Sequence, residues 1–127
     1  MDRVNIETSI ISYLTARPSQ NVVTLARQQL TREWWETRRH RFDLYAADIV
    51  VGEVSEGDDE AVQRRLAILT DMEELETTAE AEDLADYLLR EGPLPEKVAI
   101  DALHIGIAVA HHMDYLLTWN LRHIANA

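Results

Sequence analysis

The fold is decided by the stretch VNIETSII, residues 4–11. Residues 4–6 form a short apolar run that predicts a strand, and the run ends at Glu7. Thr8 and Ser9 follow at once and offer hydroxyl groups that can cap a helix reaching residue 14. The stretch therefore predicts a strand that passes directly into a helix.

The same alternation of strands and helices continues along the chain. Further strands are predicted at residues 42–46, 75–78 and 115–118, and further helices at residues 22–39, 49–56, 58–69, 79–90 and 96–112. Strands that alternate with helices predict an α/β sandwich with a mainly parallel sheet. No internal repeat or linker divides the 127 residues, so we expect a single domain over residues 1–127.

Several helix boundaries and faces can be predicted from single residues. An apolar stripe on the helix at 22–39 is made by Val22, Leu25, Ala26, Leu30 and Trp34. Asp48 is expected to cap the helix that follows residue 47. The prolines at 93 and 95 separate the last two helices. The helix at 96–112 is apolar nearly all round, which predicts a central, buried position.

Composition limits the class of protein. The hydrophobic fraction of 46% is enough for a core, and the absence of cysteine excludes disulfides and cysteine-based zinc sites or nucleophiles. The longest apolar stretch, residues 105–110, is too short to span a bilayer, and the start shows no secretory signal. These features suit a reducing compartment, and we expect a cytoplasmic protein.

The net charge of -11 argues against a protein that binds nucleic acid by bulk charge. A bound divalent metal can still reverse the local field, and the acid excess also suits a basic partner. The one candidate phosphate-binding patch contains Arg32, Arg38, Arg39 and Arg41, which equally fit a solvated helix face. Trp34 and Trp35 could stack on bases, or Trp34 could belong to the core.

Glu7 and Asn120 each follow a predicted strand. In open α/β sheets, ligands bind beyond the carboxyl ends of the strands, so both residues stand where a site is expected. The alternative for Glu7 is a carboxylate favoured by the positive end of the helix dipole.

Asp101 interrupts the apolar sequence of the predicted central helix. A carboxylate is costly in such a position unless it is paired or bound to a cation, so Asp101 is either a functional acid or half of a structural ion pair. Glu53 follows three apolar residues in the same way, but it borders an acidic segment and could be a solvated helix residue. His104 and His111 share a stripe with Asp101, where they are metal ligands or hydrogen-bonded helix histidines.

At this point four segments resemble one family, the PIN-domain nucleases, and within it the VapC-type toxins. VNIETSII (4–11) resembles the opening strand and acidic motif, and IVVGEV (49–54) the second, helical acidic motif. DALHIGIA (101–108) is similar to the third motif, and LLTWN (116–120) to the fourth, in which a strand precedes Thr and an acid or Asn. The order and spacing fit nearly the whole chain, which implies a three-layer α/β/α PIN-like domain.

The resemblance implies a ribonuclease that depends on Mg²⁺ or Mn²⁺ and acts as the toxin of a type II toxin–antitoxin pair. Glu7 and Asp101 would then be metal ligands, Glu53 a ligand or the residue that orients the attacking water, and Asn120 the residue that holds a water on the ion. Hard oxygen ligands of this kind select such ions. The expected partners are the RNA substrate, an antitoxin protein and a second copy in a homodimer.

Thr8 and Thr118 are expected to fix the carboxylates, and the resemblance implies in-line attack that leaves a 5′-phosphate and a 3′-hydroxyl. Three departures from the family pattern stand out. Glu7 replaces the usual Asp, Asn120 stands where Asp is common, and the final strand that usually follows the fourth motif is absent before residue 127.

Two other functions are consistent with parts of the pattern. A non-catalytic interaction module with a decayed metal site would explain Glu7 and the charge of -11. A receiver-like phosphorylation domain would need an acidic pair after the first strand and a Lys after the last one, and neither is present. There is also no glycine-rich phosphate loop and no serine nucleophile elbow.

Overall fold

A computed structural model describes residues 1–92 and 98–125, which contain four strands and six α-helices. The strands are β1 (Asp2–Ile6), β2 (Phe42–Ala47), β3 (Glu73–Leu75) and β4 (Tyr115–Leu117). The helices are α1 (Thr8–Thr15), α2 (Val22–Thr37), α3 (Asp48–Val54), α4 (Asp59–Leu69), α5 (Ala79–Glu91) and α6 (Ala99–Ala110). A short 3₁₀ turn, Arg39–Arg41, leads into β2.

The four strands form one parallel sheet in the order β3-β2-β1-β4. The chain moves from β1 to β2 to β3 in one direction and then crosses back to β4. Because such crossovers are right-handed, α1 to α4 cover one face of the sheet and α5 and α6 the other. The contacts agree, since α1 packs on α2, α3 and α4 while α5 packs on α6. The predicted α/β fold with a parallel sheet is confirmed.

The direction of winding reverses between the neighbouring strands β1 and β4. In a doubly wound sheet this reversal opens a crevice beyond the carboxyl ends of the two strands, and ligands bind there. Glu7 follows β1 directly, and Thr118 follows β4 directly. The topology therefore brings the first and last polar motifs of the sequence to one place.

The core lies on both faces of the sheet. Its fully buried side chains include Ile6, Ile11, Val50, Val54 and Ile107. The pairing of α5 with α6 is very close, because a Cβ atom added at Gly106 would lie 2.4 Å from the carbonyl oxygen of Ala81. Among the residues that the structure describes, no helix is long and apolar enough to cross a membrane.

The predicted apolar face of α2 is only partly confirmed, because Trp34 packs against the core whereas other members of the stripe are exposed. Val22 is 80% exposed and Leu30 is 55% exposed, whereas the buried residues of the helix are Gln28 and Thr31. Both buried side chains are satisfied locally. The Gln28 amide accepts from the Ser19 N–H and donates to the Arg17 carbonyl, and Thr31 donates to the carbonyl of Arg27. Because these polar groups have partners, their burial carries little cost.

Three predicted caps or boundaries are also corrected. The N-cap of α1 is Glu7, and no side chain caps that helix. Asp48 does not cap α3 but accepts from the N–H and the hydroxyl of Thr77 at 2.9 and 2.6 Å. The third strand ends at Leu75, three residues before its predicted end, because Thr78 serves as the N-cap of α5. Asp48 is therefore used in a contact with the segment before α5 instead of at the start of its own helix.

The last helix begins later than predicted. Helix α6 starts at Ala99, and the predicted start at residues 96 and 97, like the proline-containing break at 93–95, lies outside the described residues. Asp101 is consequently in the first turn of α6, where the helix dipole favours a carboxylate. Placing a charged carboxylate there costs less free energy than placing it in the helix interior, where the sequence analysis expected it. After β4 the chain makes one further turn, closed by the Ile124 N–H on the Asn120 carbonyl at 3.2 Å.

Candidate active site

Glu7 is a buried carboxylate at the junction of β1, α1 and β4. Its side chain is only 7% exposed, and its Oε1 accepts hydrogen bonds from the hydroxyls of Ser9 and Thr118, both at 2.5 Å. Each hydroxyl oxygen in turn accepts a backbone N–H, from Trp119 for Ser9 and from Asn120 for Thr118. Since the oxygens are occupied as acceptors, their protons point at Glu7, and the carboxylate is held in one orientation.

Glu53 is the second oriented carboxylate. It belongs to α3, and its side chain is bonded to one residue of α1 and one of α6. Its Oε1 accepts from the Thr8 hydroxyl at 2.8 Å and contacts His104 Nε2 at 2.9 Å. The Glu53 side chain is 40% exposed. Burial alone raises the pKa of this carboxyl, but the hydrogen bonds from His104 and Thr8 outweigh it, so the pKa lies below its ordinary value of 4.5. Glu53 is therefore ionised at neutral pH.

His104 is fully buried, and its two ring nitrogens have different surroundings. Nε2 faces the Glu53 carboxylate and must donate, because a carboxylate only accepts. Nδ1 is buried, and no residue in the described part of the chain bonds to it. The contact with Glu53 therefore assigns a ring proton to Nε2.

Glu7 and Glu53 share one arrangement. In each, Oε1 takes two hydrogen bonds, and within residues 1–92 and 98–125 no hydrogen bond reaches Oε2. Thr8 and Thr118 thus donate to the two carboxylates, as the sequence predicted. A carboxylate with one fixed and one unused oxygen can still accept a hard cation or a donor from a ligand.

Asp101 and Asn120 are less closely joined to this pair. Asp101 lies three residues before His104 on α6 and is partly buried. Asn120 uses its Oδ1 to accept the N–H of His123 at 3.0 Å, so it closes the turn after β4. In the described ranges, no three His, Asp or Glu side chains converge closely enough to hold a metal ion. The four predicted residues therefore form two oriented carboxylates with two residues beside them.

Asn5 is a polar residue of this region that the sequence analysis treated only as part of a strand. It lies in β1 two residues before Glu7, so both side chains point to the same face of the sheet. Asn5 is 1% exposed, and neither of its amide atoms has a hydrogen-bond partner in the described part of the molecule. The signal in the sequence was a polar residue, Asn5, inside the apolar run VNI.

Two further predictions concern the histidines at 104 and 111 and the arginine patch. His104 on α6 and His111, which directly follows the helix, are both hydrogen-bonded, His111 through its Nε2 to the Glu76 carbonyl at 2.8 Å. The arginine patch is less suited to phosphate than its charge implied. Arg39 stacks on Trp35 at 4.5 Å, in a cavity of about 680 Å³ that Asp43 and Glu73 also line. This cavity lies beside the amino ends of β2 and β3, away from Glu7.

Comparisons with known proteins give a clear result for the fold. No family model matches the chain, and no curated protein matches it in sequence. Among solved structures, VapC20 from Mycobacterium tuberculosis, described as a toxin that cleaves the sarcin–ricin loop, superposes with a TM-score of 0.72 at 17% identity, over 98% of this chain and 95% of that one. VapBC2 from Rickettsia felis, bound to a fragment of its promoter DNA, gives 0.66 at 20% identity, over 94% and 89%.

These similarities confirm the PIN-like fold that the sequence predicted, because both neighbours are Vap proteins and both are covered almost completely. At 17 to 20% identity they establish the fold alone. What this chain does must be argued from its own site.

Proposed function

We propose that this protein is a ribonuclease of the VapC toxin type, which hydrolyses RNA phosphodiesters with Mg²⁺ or Mn²⁺ held by Glu7, Glu53 and Asp101. Asn120 borders the same crevice and would contribute its amide. The sequence motifs, the fold and the position of the site at the β1–β4 crevice all support this function. The M. tuberculosis neighbour is described as cleaving an RNA loop, which agrees with it.

The observation that carries the proposal is the burial of Glu7 without a cation. Glu7 is 7% exposed, and no Lys, Arg or His in the part of the chain that the structure describes forms an ion pair with it. A buried carboxylate without a cationic partner is costly even when it accepts hydrogen bonds, and a bound metal ion would offset that cost. Two hydroxyls hold this carboxylate in place, which is typical of the residues that support a metal ligand.

The three proposed ligands are of the chemical type that suits the ion, although they do not converge on one point in the part of the chain that the structure describes. Glu7, Glu53 and Asp101 offer carboxylate oxygens, which are the ligands that Mg²⁺ and Mn²⁺ prefer. When bound, such an ion neutralises charge on a phosphate and lowers the pKa of water. Thr118 and Ser9 keep Glu7 pointed into the crevice, and His104 and Thr8 do the same for Glu53. Glu53, ionised and half-exposed, would bind the ion or orient the attacking water.

We further propose a protein antitoxin as a partner and a homodimer as the working assembly. The net charge of -11 favours a basic partner, and the R. felis neighbour is a VapBC complex. The test is purification from the native host followed by analysis of what is bound. A monomer that carries no other protein would contradict both expectations.

A non-catalytic module remains the second candidate, and one observation favours it. The described His, Asp and Glu residues do not converge in threes, and Glu7 stands where the family usually has Asp. The extra methylene of Glu moves the carboxylate by about one C–C bond. A wild type that binds Mn²⁺ but cleaves no RNA would support this candidate, and Glu7→Asp would then be the variant with which to attempt to restore cleavage.

The decisive experiment combines thermal melts with an RNA cleavage assay. Wild type and Asp101→Asn are melted in EDTA and in Mn²⁺, and Asp83→Asn, an exposed residue of α5, is the control for the same chemical change. Ligand binding to the folded state must raise its apparent stability. We expect Mn²⁺ to stabilise wild type and the control, and to stabilise Asp101→Asn much less.

Without metal, the two interpretations of Asp101 predict opposite results. If it is a metal ligand, removing its charge relieves repulsion among the acids, so stability in EDTA is unchanged or slightly raised. If it serves a structural ion pair, the partner charge is left behind at a cost of roughly 3–5 kcal/mol. A marked loss of stability in EDTA with an unchanged Mn²⁺ response would refute the metal assignment.

A further inference from the structure

An apolar pocket of about 270 Å³ adjoins the Glu7 carboxylate. Its walls come from α1, α2 and the segment after β4, and they include Ile10, Leu30, Trp34, Thr118, Trp119 and Leu121. Leu30 and Leu121 are 55% and 48% exposed, so the pocket opens to solvent at their side chains. Two large exposed leucines at the mouth of an aromatic-lined pocket are typical of a ligand site.

The pocket and the carboxylate are joined by hydrogen bonds. Thr118, a wall residue, donates to Glu7 Oε1, and the backbone N–H of Trp119 donates to Ser9, whose hydroxyl also bonds Glu7. A ligand seated in the pocket therefore lies beside the hydrogen-bond network that holds Glu7. A group bound here would be a neighbour of whatever the carboxylate acts on.

The indole of Trp119 is held firmly. Its Nε1 donates to the Thr31 hydroxyl at 2.7 Å, the guanidinium of Arg27 lies 5.4 Å from its ring, and Tyr13 meets it edge-on at 6.2 Å. Because the ring is fixed in advance, stacking a ligand on it costs little conformational entropy. A rigid aromatic ring beside an arginine is a common surface for binding a nucleobase.

The charge around the pocket differs from that of the rest of the chain. Residues 8–32 and 115–127 contain no Asp or Glu, and they include Arg17, Arg27, Arg32 and Arg122. These two segments supply most of the pocket wall. With a net charge of -11, the molecule repels a polyanion over most of its surface, so an RNA strand is best accommodated where acids are missing.

We propose that this pocket, named here the Trp119 pocket, binds one unpaired nucleobase of single-stranded RNA next to the phosphate at Glu7. The inference rests on the proposed ribonuclease function and adds to it a determinant of substrate choice. The arginines of the acid-free segments bind the flanking phosphates. Single-stranded RNA is the form that fits, because its bases can leave the stack and enter an aromatic pocket.

The test measures binding without cleavage, in EDTA. Fluorescence anisotropy is recorded with labelled eight-nucleotide RNAs of A, C, G or U, and with an abasic eight-nucleotide RNA of the same backbone. Stacking is worth about 1–3 kcal/mol per base, which corresponds to about 5- to 150-fold in affinity. We expect wild type to prefer its best base-bearing RNA over the abasic one by a factor in this range.

The informative variant is Leu30→Gln, with Val23→Gln as its matched control. Both residues are exposed on α2, about 10 Å apart along the helix, and only Leu30 lines the pocket. Leu30→Gln should bring the preference for base-bearing RNA close to one and leave affinity for the abasic RNA unchanged. Val23→Gln should behave as wild type.

Other results would overturn the proposal. Equal binding of base-bearing and abasic RNA by wild type contradicts the pocket, and so do equal effects of the two variants. If wild type is a dimer that Leu30→Gln dissociates with no change in RNA preference, the pocket is a contact between copies instead. A parallel cleavage assay in Mn²⁺ separates the two proposals. Cleavage without base preference refutes only the pocket, whereas the absence of both RNA binding and cleavage refutes the function as well.

Discussion

Glu7 and Glu53 are two carboxylates of one crevice that are held by different means. Glu7 is buried and receives only hydroxyl protons, from Ser9 and Thr118. Glu53 is 40% exposed and receives one hydroxyl proton and one imidazole proton, from Thr8 and His104. Glu7 is thus shielded from water and tied to the sheet, while Glu53 is accessible and tied to the helices on both sides of the sheet.

The difference favours different roles for the two carboxylates. A carboxylate that is buried and fixed by a strand end suits a stationary ligand, since it cannot move without disturbing β1 and β4. A carboxylate that is half-exposed, on short helix α3, suits contact with water or substrate. Four predictions test this comparison.

The largest expected effect is on activity. Glu7→Gln keeps the side-chain shape and an acceptor for Ser9 and Thr118, but it removes the charge. Since residues that only orient a metal ligand are worth about 10- to 100-fold, we expect a loss of at least about 100-fold in Mn²⁺-dependent RNA cleavage. Glu53→Gln should lose less. Equal losses in the initial rates of the two variants would remove the proposed distinction.

The second prediction concerns the two threonines. Thr118→Val removes a donor to Glu7 and an acceptor for the Asn120 N–H, both partly buried, and should cost about 1–3 kcal/mol of unfolding free energy. Thr8→Val removes one exposed bond to Glu53 and should cost under about 1 kcal/mol. Urea melts of the two valine variants provide a matched pair. A larger loss of unfolding free energy in Thr8→Val than in Thr118→Val would contradict the view that Glu7 is the more firmly held of the two carboxylates.

The third prediction isolates the imidazole. His104→Leu leaves Glu53 with Thr8 as its hydrogen-bond donor, so the Glu53 pKa should rise toward its ordinary value of 4.5. His104→Gln, which can still donate, should keep part of the depression. NMR titration of the Glu53 carboxyl carbon measures both. A pKa that stays as low in the leucine variant as in wild type would show that His104 does not set it.

The smallest effect is on stability against pH. The pKa of Glu53 is lower in the folded state than the 4.5 of the unfolded chain, so its contribution is fully present above pH 4.5 and is lost as pH falls through the folded value. Because the side chain is half-exposed, we expect a shallow decline. Subtracting the melts of Glu53→Gln from those of wild type between pH 3 and 6, in EDTA, isolates it. A difference that grows toward low pH would contradict the assigned sign.

The sequence predicted the order of strands and helices because short apolar runs, such as residues 4–6 and 115–117, alternate with longer segments of helical spacing. It failed on α2, where apolar spacing suggested that Leu30 faces inward. The helix instead buries Gln28 and Thr31, whose partners lie in the loop before the helix and one turn back along it. Such local satisfaction of polar groups cannot be seen in a pattern of apolar residues.

The site was predicted as a set of residues but not as an arrangement. Strand ends and polar interruptions pointed to Glu7, Glu53, Asp101 and Asn120 as candidates, and their role stays a prediction. The two threonines were expected to fix the carboxylates, and their hydrogen bonds to Glu7 and Glu53 agree with this. His104 was weighed as a metal ligand or a bonded histidine, and only the contact between its Nε2 and the Glu53 carboxylate shows which of the two it is. Asn5 was missed, because a single polar residue in a strand gives no indication of whether its amide will find a partner.

The hydrogen bond from Thr118 to Glu7 spans 111 positions of the chain. A ribosome adds roughly 5–20 residues per second, so Thr118 is made about 6 to 22 seconds after Glu7. Until β4 has left the ribosome and paired with β1, the Glu7 carboxylate lacks that donor and half of its crevice is missing. Whatever chemistry depends on an oriented Glu7 is therefore withheld during synthesis. The order in which the chain is made gives the cell an interval in which this protein is present but inactive.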